Sequence, residues 1–340
     1  MTAKANGQDG PGCVEAPPRG PSEIKQELPA RPASVPIGAP YPWRQILLIT
    51  VVSVALFVLV RRLPTGTNLS HMDFRVQGGN VIQFCDPTNP QFIPVVAVRS
   101  PVVMALHPFG IATPGSELPV AFTLRTSTGR PISPEDLLVV HTKRLHLLIV
   151  DPTLEDYQHV HPDPGPAPGE WHFAFTPVLA GAYRVFADFT PVATNRGLYA
   201  YADLLVTGGP TGPRSPSAAR MEEFSEFEKG DLRIGLTPAE PLRAGRPADL
   251  KLTLRRTGGG LVRLEPVMDA YAHLVAFDRE RSGFAHLHPV QTDLAEQPDL
   301  VRPTMNFKIT IPTSGSYVIW AQTNVGGREV FAPFWFTVAP

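Results

Sequence analysis

The chain has 340 residues, and its 30 lysines and arginines nearly balance its 31 aspartates and glutamates. This balance excludes the strongly basic surface by which proteins attract nucleic acid. The 39 prolines argue against a mostly helical fold, and two cysteines without a CxxC pair cannot form a disulfide framework. The length is sufficient for two domains, each with a core of its own.

The N-terminal 43 residues are rich in proline, glycine and charged residues and contain almost no aliphatic run. This composition predicts a disordered tail over residues 1–43. Cys13 lies in the tail, whereas Cys85 lies beyond the next segment. We expect Cys85 to be a small buried apolar residue.

An uncharged run extends from Gln45 to Val60, and arginines flank it on both sides. A membrane-spanning helix needs about 20 apolar residues, and the aromatic residues before this run bring it close to that length. A secretory signal peptide is the competing interpretation, but no small-residue cleavage site follows. We predict an uncleaved transmembrane signal anchor over residues 44–62. The protein would then be a single-pass cell-membrane protein with its C-terminal domains in the periplasm.

The rest of the chain has the pattern of a β-protein. Residues 63–114 are predicted to connect the anchor to the domains and to include candidate first strands. Short apolar segments separated by proline and glycine then follow, which predicts strands and turns. A linker is predicted at 208–221 from its glycine, proline and serine content. It separates a first domain at 115–207 from a second at 222–340.

The two domains repeat one another in sequence. The segment HLLIVDPTLEDYQHVHP, which starts at His146, corresponds to HLVAFDRERSGFAHLHP, which starts at His273. A Gly-x-Tyr motif opens a later strand in each copy, at Gly181 and Gly315. We therefore predict an all-β fold with two tandem immunoglobulin-like or cupredoxin-like β-sandwiches after a single N-terminal transmembrane helix.

Each copy carries three histidines at the same spacing, which is His-x12-His-x-His-Pro. Alternate residues of a strand share a face, so the second and third histidines of each copy lie on one side. A hairpin that turns at PTLED pairs Leu148 with His159 and Val150 with Tyr157, and this register brings the first histidine beside the third. The candidate metal ligands are therefore His146, His159 and His161 in the first copy and His273, His286 and His288 in the second.

A fourth ligand is available five residues before the first histidine of each copy. This residue is His141 in the first copy and Met268 in the second. Three neutral imidazoles suit copper or zinc, and a thioether favours copper, especially Cu(I). Copper is the favoured ion, and zinc is the alternative.

A structural role is the alternative for these histidines, because an H-x-H pattern can be the solvated rim of a strand. Asp151 and Asp278 each lie five residues after the first histidine of their copy. We predict that they are turn residues rather than carboxylates that orient an imidazole. Tyr157 and Phe284 share the histidine face and are predicted to be core aromatic residues.

Catalysis is not predicted. The H-V-H-P-D run at 159–163 is similar to the first-strand motif of metal-dependent amidohydrolases, but those enzymes need alternating strands and helices. The second copy reads H-L-H-P-V, without the acid. The sequence also contains no G-x-S-x-G, H-E-x-x-H or P-loop motif.

The run H-T-K-R-L-H-L with H-V-H-P, the later A-H-L-V with H-L-H-P, and Gly-x-Tyr in each half carry a family resemblance. Over residues 115–340 the chain resembles poorly characterised bacterial envelope proteins with tandem YtkA-like and CopC-like β-sandwich domains. The resemblance implies an extracytoplasmic, membrane-attached protein that handles heavy metals, chiefly copper. One departure is the sequence M-D-A-Y-A-H before the second triad, where the family pattern has a glycine-rich approach.

The sequence thus predicts a membrane-anchored, extracytoplasmic copper-binding protein with one histidine-rich site in each sandwich. Its role would be to bind or deliver metal. The expected partners are the membrane, through one helix, and another envelope metalloprotein as a candidate, with no nucleic acid. The alternative is an immunoglobulin-like interaction or scaffold module of the cell envelope, in which the histidines are structural.

Overall fold

A computed structural model describes residues 42–62, 69–74, 90–208, 225–291 and 293–340. The disordered tail predicted for residues 1–43 lies almost entirely outside the described residues. Cys13, Cys85 and most of the linker predicted at 208–221 lie outside them as well.

A helix forms within the uncharged run of the sequence. This helix, α1, extends over Trp43–Arg62. Among the described residues, no helix is both long and apolar enough to cross a membrane. The prediction of a transmembrane anchor is therefore not confirmed.

The first domain consists of two four-stranded antiparallel sheets. Its strands are β1 Val102–Pro108, β2 Leu118–Thr126, β3 Leu145–Val150, β4 Tyr157–Val160, β5 Asp163–Pro164, β6 Glu170–Phe175, β7 Gly181–Phe189 and β8 Leu198–Val206. One sheet has the order β1-β2-β6-β5, and the other has the order β4-β3-β7-β8. Short 3-10 helices lie at His71–Phe74 and Pro134–Asp136.

The second domain repeats this plan. Its strands are β9 Glu226–Lys229, β10 Leu232–Pro238, β11 Pro247–Arg256, β12 Leu264–Glu265, β13 Ala272–Asp278, β14 Phe284–Leu287, β15 Thr304–Thr310, β16 Gly315–Val325 and β17 Glu329–Val338. One sheet has the order β15-β11-β10-β9. In the other, β14, β13, β16 and β17 pair in turn, and β12 pairs with the end of β16.

The predicted all-β class and the internal repeat are confirmed. β3, β4, β7 and β8 correspond to β13, β14, β16 and β17 in order and pairing. The predicted hairpin register is also confirmed, because Leu148 pairs with His159 and Val150 pairs with Tyr157. In the second copy, Val275 pairs with His286 at the equivalent position.

Each domain has an apolar core between its two sheets. Phe122, Leu147 and Trp171 are buried in the first core. Leu252 and Phe307 are buried in the second. These side chains alternate with outward-facing ones along their strands, as expected for a half-buried antiparallel sheet.

The β3 and β13 strands depart from this alternation, since every residue of both is buried. The reason is a third apolar cluster, in which the outer face of the β3 sheet packs against the outer face of the β13 sheet. It contains residues of both domains, among them Leu148, Val150, Tyr157, Phe186, Val275, Phe277, Phe284, Trp320 and Trp335. The rings of Phe186 and Phe277 stack across this interface with their centroids 6.1 Å apart. The two sandwiches thus form four sheet layers.

The segment that precedes the first domain packs on the second domain. Phe92 is buried in the second core, and Ile93 forms an antiparallel bridge with Phe284. Gly283 lies directly against this segment. A Cβ atom at position 283 would lie 1.8 Å from the carbonyl oxygen of Ile93.

Candidate metal centre

The two hairpins place their histidines on the outer faces of the β3 and β13 sheets. His146 lies on β3, His159 lies on β4, and His161 follows the end of β4. His146 and Leu148 alternate with Leu147, which points into the first core, so the same period that fills the core directs His146 outward. The second copy repeats this placement. In each triad, one nitrogen per ring can be chosen so that all three lie within 4.8 Å of one another.

The first triad has the spacing of a metal site. The Nδ1 atom of His146 lies 3.2 Å from Nε2 of His159 and 3.2 Å from Nε2 of His161. An ion held tetrahedrally at about 2.0–2.1 Å would place its ligand nitrogens roughly 3.3 Å apart. The three nitrogens can therefore bind one ion with little rearrangement.

Polar groups outside the first triad orient two of its rings. The Nε2 atom of His146 lies 3.2 Å from the carbonyl oxygen of Val140. The Nδ1 atom of His159 lies 2.9 Å from Oε1 of Gln322 in the second domain, and Gln322 in turn donates from Nε2 to Glu329 at 3.0 Å. Since an oxygen must accept, these contacts assign the outer nitrogens as donors and leave the inner ones as acceptors for a metal.

The second triad has buried nitrogens without partners. His286 donates from Nδ1 to the carboxylate of Asp188, in the first domain, at 3.1 Å. Among the described residues, Nε2 of His286, Nε2 of His288 and both ring nitrogens of His273 are buried and have no hydrogen-bond partner. A buried polar atom without a partner costs about 1–3 kcal/mol. A metal ion coordinated by one nitrogen of each ring would remove that cost for three of these four atoms.

Burial keeps the imidazoles neutral. We define the histidine cluster as the two triads together with His141. Burial lowers the pKa of all seven histidines of the cluster, and neighbouring imidazoles lower it further in the six triad members. The pKa of His161 falls to about 3. Metal ligation requires neutral imidazole, so the cluster is in the ligating form at neutral pH.

The carboxyl group beside the cluster responds in the opposite direction. Burial raises the pKa of Asp188 to about 6, although His146 and His141 oppose this shift through their positive charge when protonated. At neutral pH the group is a carboxylate that accepts from His286. A carboxylate in this position makes the imidazole a stronger metal ligand.

His141 and Met268 occupy matching turns. His141 and Thr142 have φ values of 50° and 66°, and Met268 and Asp269 have φ values of 48° and 60°. Two such residues form a hairpin turn of the type that favours asparagine and glycine. Left-handed backbone at other residues costs about 1–3 kcal/mol and is concentrated at functional sites.

The structure places His141 against the other domain. The sequence assigned it to the first triad, but its ring stacks on His288 with the centroids 3.7 Å apart. It also lies edge-on to His273 at 6.4 Å. The cause is the packing of the two sheets, which brings the turn at Val140–Lys143 onto the second domain.

The two triads also meet each other. The ring centroid of His286 lies 5.5 Å from that of His146 and 5.2 Å from that of His159. His159 lies 6.3 Å from His273. Distances within the triads are similar, between 4.8 and 5.7 Å. The sequence predicted one site in each sandwich, whereas the structure joins both triads at one interface.

Asp188, Gln322 and Glu329 were not predicted from the sequence. The repeat held one signal, since Asp188 pairs with His146 on β7 and Gln322 pairs with His273 on β16 at equivalent positions. A polar residue at the equivalent position of two otherwise apolar strands is the sequence signal that indicates a role for both residues. The interdomain contacts themselves leave no trace in the spacing.

The two aspartates at equivalent positions of the repeat are turn residues, as predicted. Asp151 accepts hydrogen bonds from the backbone of Thr153, Glu155 and Asp156. Asp278 accepts from the backbone of Ser282. Both aspartates therefore stabilise the hairpin turns and do not orient the imidazoles of the metal centre.

The family profile described as a domain of unknown function (DUF8832) matches residues 96–200 and 227–340. Among solved structures, the chain is similar to FdeC, described as an Escherichia coli adhesin, at 14% identity and a TM-score of 0.22, over 70% of this chain and 64% of that one. It is similar to invasin, described as a bacterial integrin-binding protein, at 14% identity and a TM-score of 0.21, over 70% of this chain and 40% of that one. The chain therefore spans less than two thirds of either structure. None of the curated proteins matches this chain.

Proposed function

This chain belongs to the DUF8832 family, a domain of unknown function that it carries twice, and we propose that it binds copper ions through its two histidine triads. The observation that carries the proposal is the set of buried, unpartnered nitrogens on His273, His286 and His288. Hydrogen bonds satisfy nearly all buried polar groups in proteins. One ring nitrogen from each of the three histidines lies within 4.8 Å of the other two, and these three nitrogens are the donor set of a metal ion.

Copper fits this donor set better than zinc. The ligands are neutral imidazoles, and His146 and His273 are only 4% and 1% exposed. Burial of a charge is costly, so a monovalent ion is easier to accommodate than a divalent one. Imidazole binds both metals, but Cu(I) brings one positive charge and zinc brings two.

The proposed role is to hold or deliver the ion, without turnover of a substrate. Burial of the ligands favours retention, because His146, His159 and His273 are at most 7% exposed and a substrate has little access to the ion. The family resemblance supports an extracytoplasmic location in the cell envelope. Another metalloprotein of the envelope would then donate or accept the copper.

Metal content tests this proposal. The purified chain should bind two copper ions in a competition titration with a Cu(I) chelator, and His146→Gln and His273→Gln should each lose one. His107→Ala is the matched control, because His107 is exposed on β1 and lies outside the cluster. A chain that keeps no copper above background, in wild type and variants alike, would exclude the proposed function.

The second candidate is an immunoglobulin-like interaction module of the cell envelope. It is favoured by two large apolar side chains in the loop after β1, Phe109 and Ile111, which are 66% and 81% exposed. Exposed apolar residues that lie close together mark interaction surfaces. In this case the histidines would be structural, and the triad variants would bind no less copper than the wild type.

A further inference from the structure

We propose that the two triads hold two metal ions as one dinuclear centre, which neither domain can complete alone. This proposal rests on the proposed metal-binding function and deepens it. The sequence places one triad in each sandwich, and nothing in the repeat itself requires them to meet. Three features of the interface support the pairing.

The first feature is the contact between the triads. His286, of the second triad, lies 5.5 Å from His146 and 5.2 Å from His159 between ring centroids. Rings within one triad are 4.8 to 5.7 Å apart. The ring of His286 therefore borders the first site and is also a ligand of the second. Ions bound in both triads would be neighbours.

The second feature is an exchange of hydrogen-bond partners between the domains. His159, in the first domain, donates to Gln322 in the second at 2.9 Å. Its counterpart His286, in the second domain, donates to Asp188 in the first at 3.1 Å. Gln322 and Asp188 hold equivalent positions, since each is paired with the first histidine of its own copy. The central ligand of each triad is thus oriented by the opposite domain.

The third feature is the rigidity of the surrounding interface. Arg184 donates to the carbonyl oxygen of Arg281 at 2.7 Å, and Arg281 donates to that of Ala182 at 2.7 Å. Beside this pair, Phe186 packs on Phe277 and Phe284. Packed interiors resist deformation, so the distance between the triads is fixed by the fold and not by the metal.

Electron paramagnetic resonance of the protein loaded with two equivalents of Cu(II) tests the pairing. Neighbouring Cu(II) ions couple magnetically, so we expect a spin count clearly below two per chain, with a broadened or half-field signal. In His273→Gln, which keeps the first triad alone, we expect one Cu(II) with an unbroadened signal and a full spin count.

The outcomes separate the two proposals. Two bound ions with a full count of two unbroadened signals would overturn the dinuclear centre and leave the metal-binding function intact. A single bound ion in the wild-type chain would also overturn it. No copper bound, either as Cu(II) here or as Cu(I) in the competition titration, would overturn both proposals.

The exchanged partners give a second test. In the His273→Gln background, Gln322→Ala should weaken copper binding at the first triad about 10- to 100-fold, the usual effect of losing a group that orients a ligand. Gln158→Ala is the matched control, since Gln158 contacts Asp156 and Thr176 on the first domain. Equal affinities in the two variants would show that the domains do not support each other's ligands.

Discussion

His286 has two different neighbours at its two nitrogens. Its Nδ1 atom lies 3.1 Å from the carboxylate of Asp188, whereas its Nε2 atom is buried without a hydrogen-bond partner. The counterpart His159 faces the neutral amide of Gln322 instead. The two sites therefore differ by one negative charge, although their ligands are the same.

This difference predicts the effect of Asp188→Asn. The change keeps the size of the side chain but removes the charge that strengthens His286 as a ligand, so copper affinity at the second triad should fall about 10- to 100-fold. Competition titration in the His146→Gln background measures this site alone. Asp163→Asn, at an exposed carboxyl on β5, is the control and should leave affinity unchanged. An unchanged affinity in Asp188→Asn would contradict the assigned role.

The cluster also predicts how the stability of the metal-free protein depends on pH. Burial holds the pKa of all seven cluster histidines below the unfolded value of 6.5. Below that pH the unfolded chain takes up protons that the folded chain cannot, so the free energy of unfolding falls as the pH decreases. For His161 the decrease continues to a pH of about 3.

Asp188 opposes this trend over a narrower range. Its pKa is raised from 3.8 to about 6, so between those values the folded state binds the proton more readily and gains stability as the pH falls. Burial also raises the pKa of Asp278, which acts in the same direction. Two carboxyl groups against seven histidines still leave a net loss of stability as the pH falls. Denaturant unfolding at pH 7.5, 6 and 5 measures it, and a stability that stays constant or rises toward pH 5 would contradict the prediction.

Within the hairpins, the sequence was sufficient to predict both the strands and their register. Side chains alternate along a strand, so the His-x-His spacing and the turn at PTLED left one register that placed all three rings together. That register holds in Leu148–His159 and Val275–His286. Only local geometry was needed.

The covering of the outer face could not be predicted in the same way. Its one local sign is in LHLLIV of β3, which lacks the polar alternation of a sheet with one face in water. The absence of alternation indicates that both faces of β3 are buried, but it does not indicate which part of the chain packs on the outer face. The stacking of His141 on His288 depends on the second domain packing against this face, so the histidine spacing could not predict it.

Gly283 provides a test of the segment that precedes the first domain. A methyl group at this position would collide with the carbonyl oxygen of Ile93, 1.8 Å away, so Gly283→Ala must displace backbone. We expect a loss of about 1–3 kcal/mol in the free energy of unfolding, as is typical of overpacking. Gly110→Ala, where the new methyl group meets open space, should change it little. Equal stabilities of the two variants would show that the segment does not pack on Gly283.

At the scale of the whole molecule, copper and the domain interface should stabilise each other. Each triad lies within one domain, and a residue of the opposite domain orients its central histidine. An ion therefore binds the docked domains and not the unfolded chain. When the free concentration of the ion is 100 times its dissociation constant, binding adds about 2.7 kcal/mol to the free energy of unfolding.

Thermal unfolding with and without Cu(I) measures this stabilisation. The melting temperature should rise on addition of Cu(I) under reducing conditions and return to its starting value with a chelator. His107→Ala should show the same rise as the wild type, whereas a variant with both His146→Gln and His273→Gln should show none. A melting temperature that does not respond to copper in the wild type would contradict the coupling.

The order of synthesis gives the packing of Phe92 and Ile93 a further consequence. These residues leave the ribosome before the first sandwich, yet they pack on Phe284 and the core of the second one, which is made later. The first sandwich also emerges before the sheet that covers its outer face. During translation the chain therefore carries an uncovered apolar face and an incomplete histidine site. Both ions of the proposed dinuclear centre can therefore be held only after the strands of the second sandwich have been made.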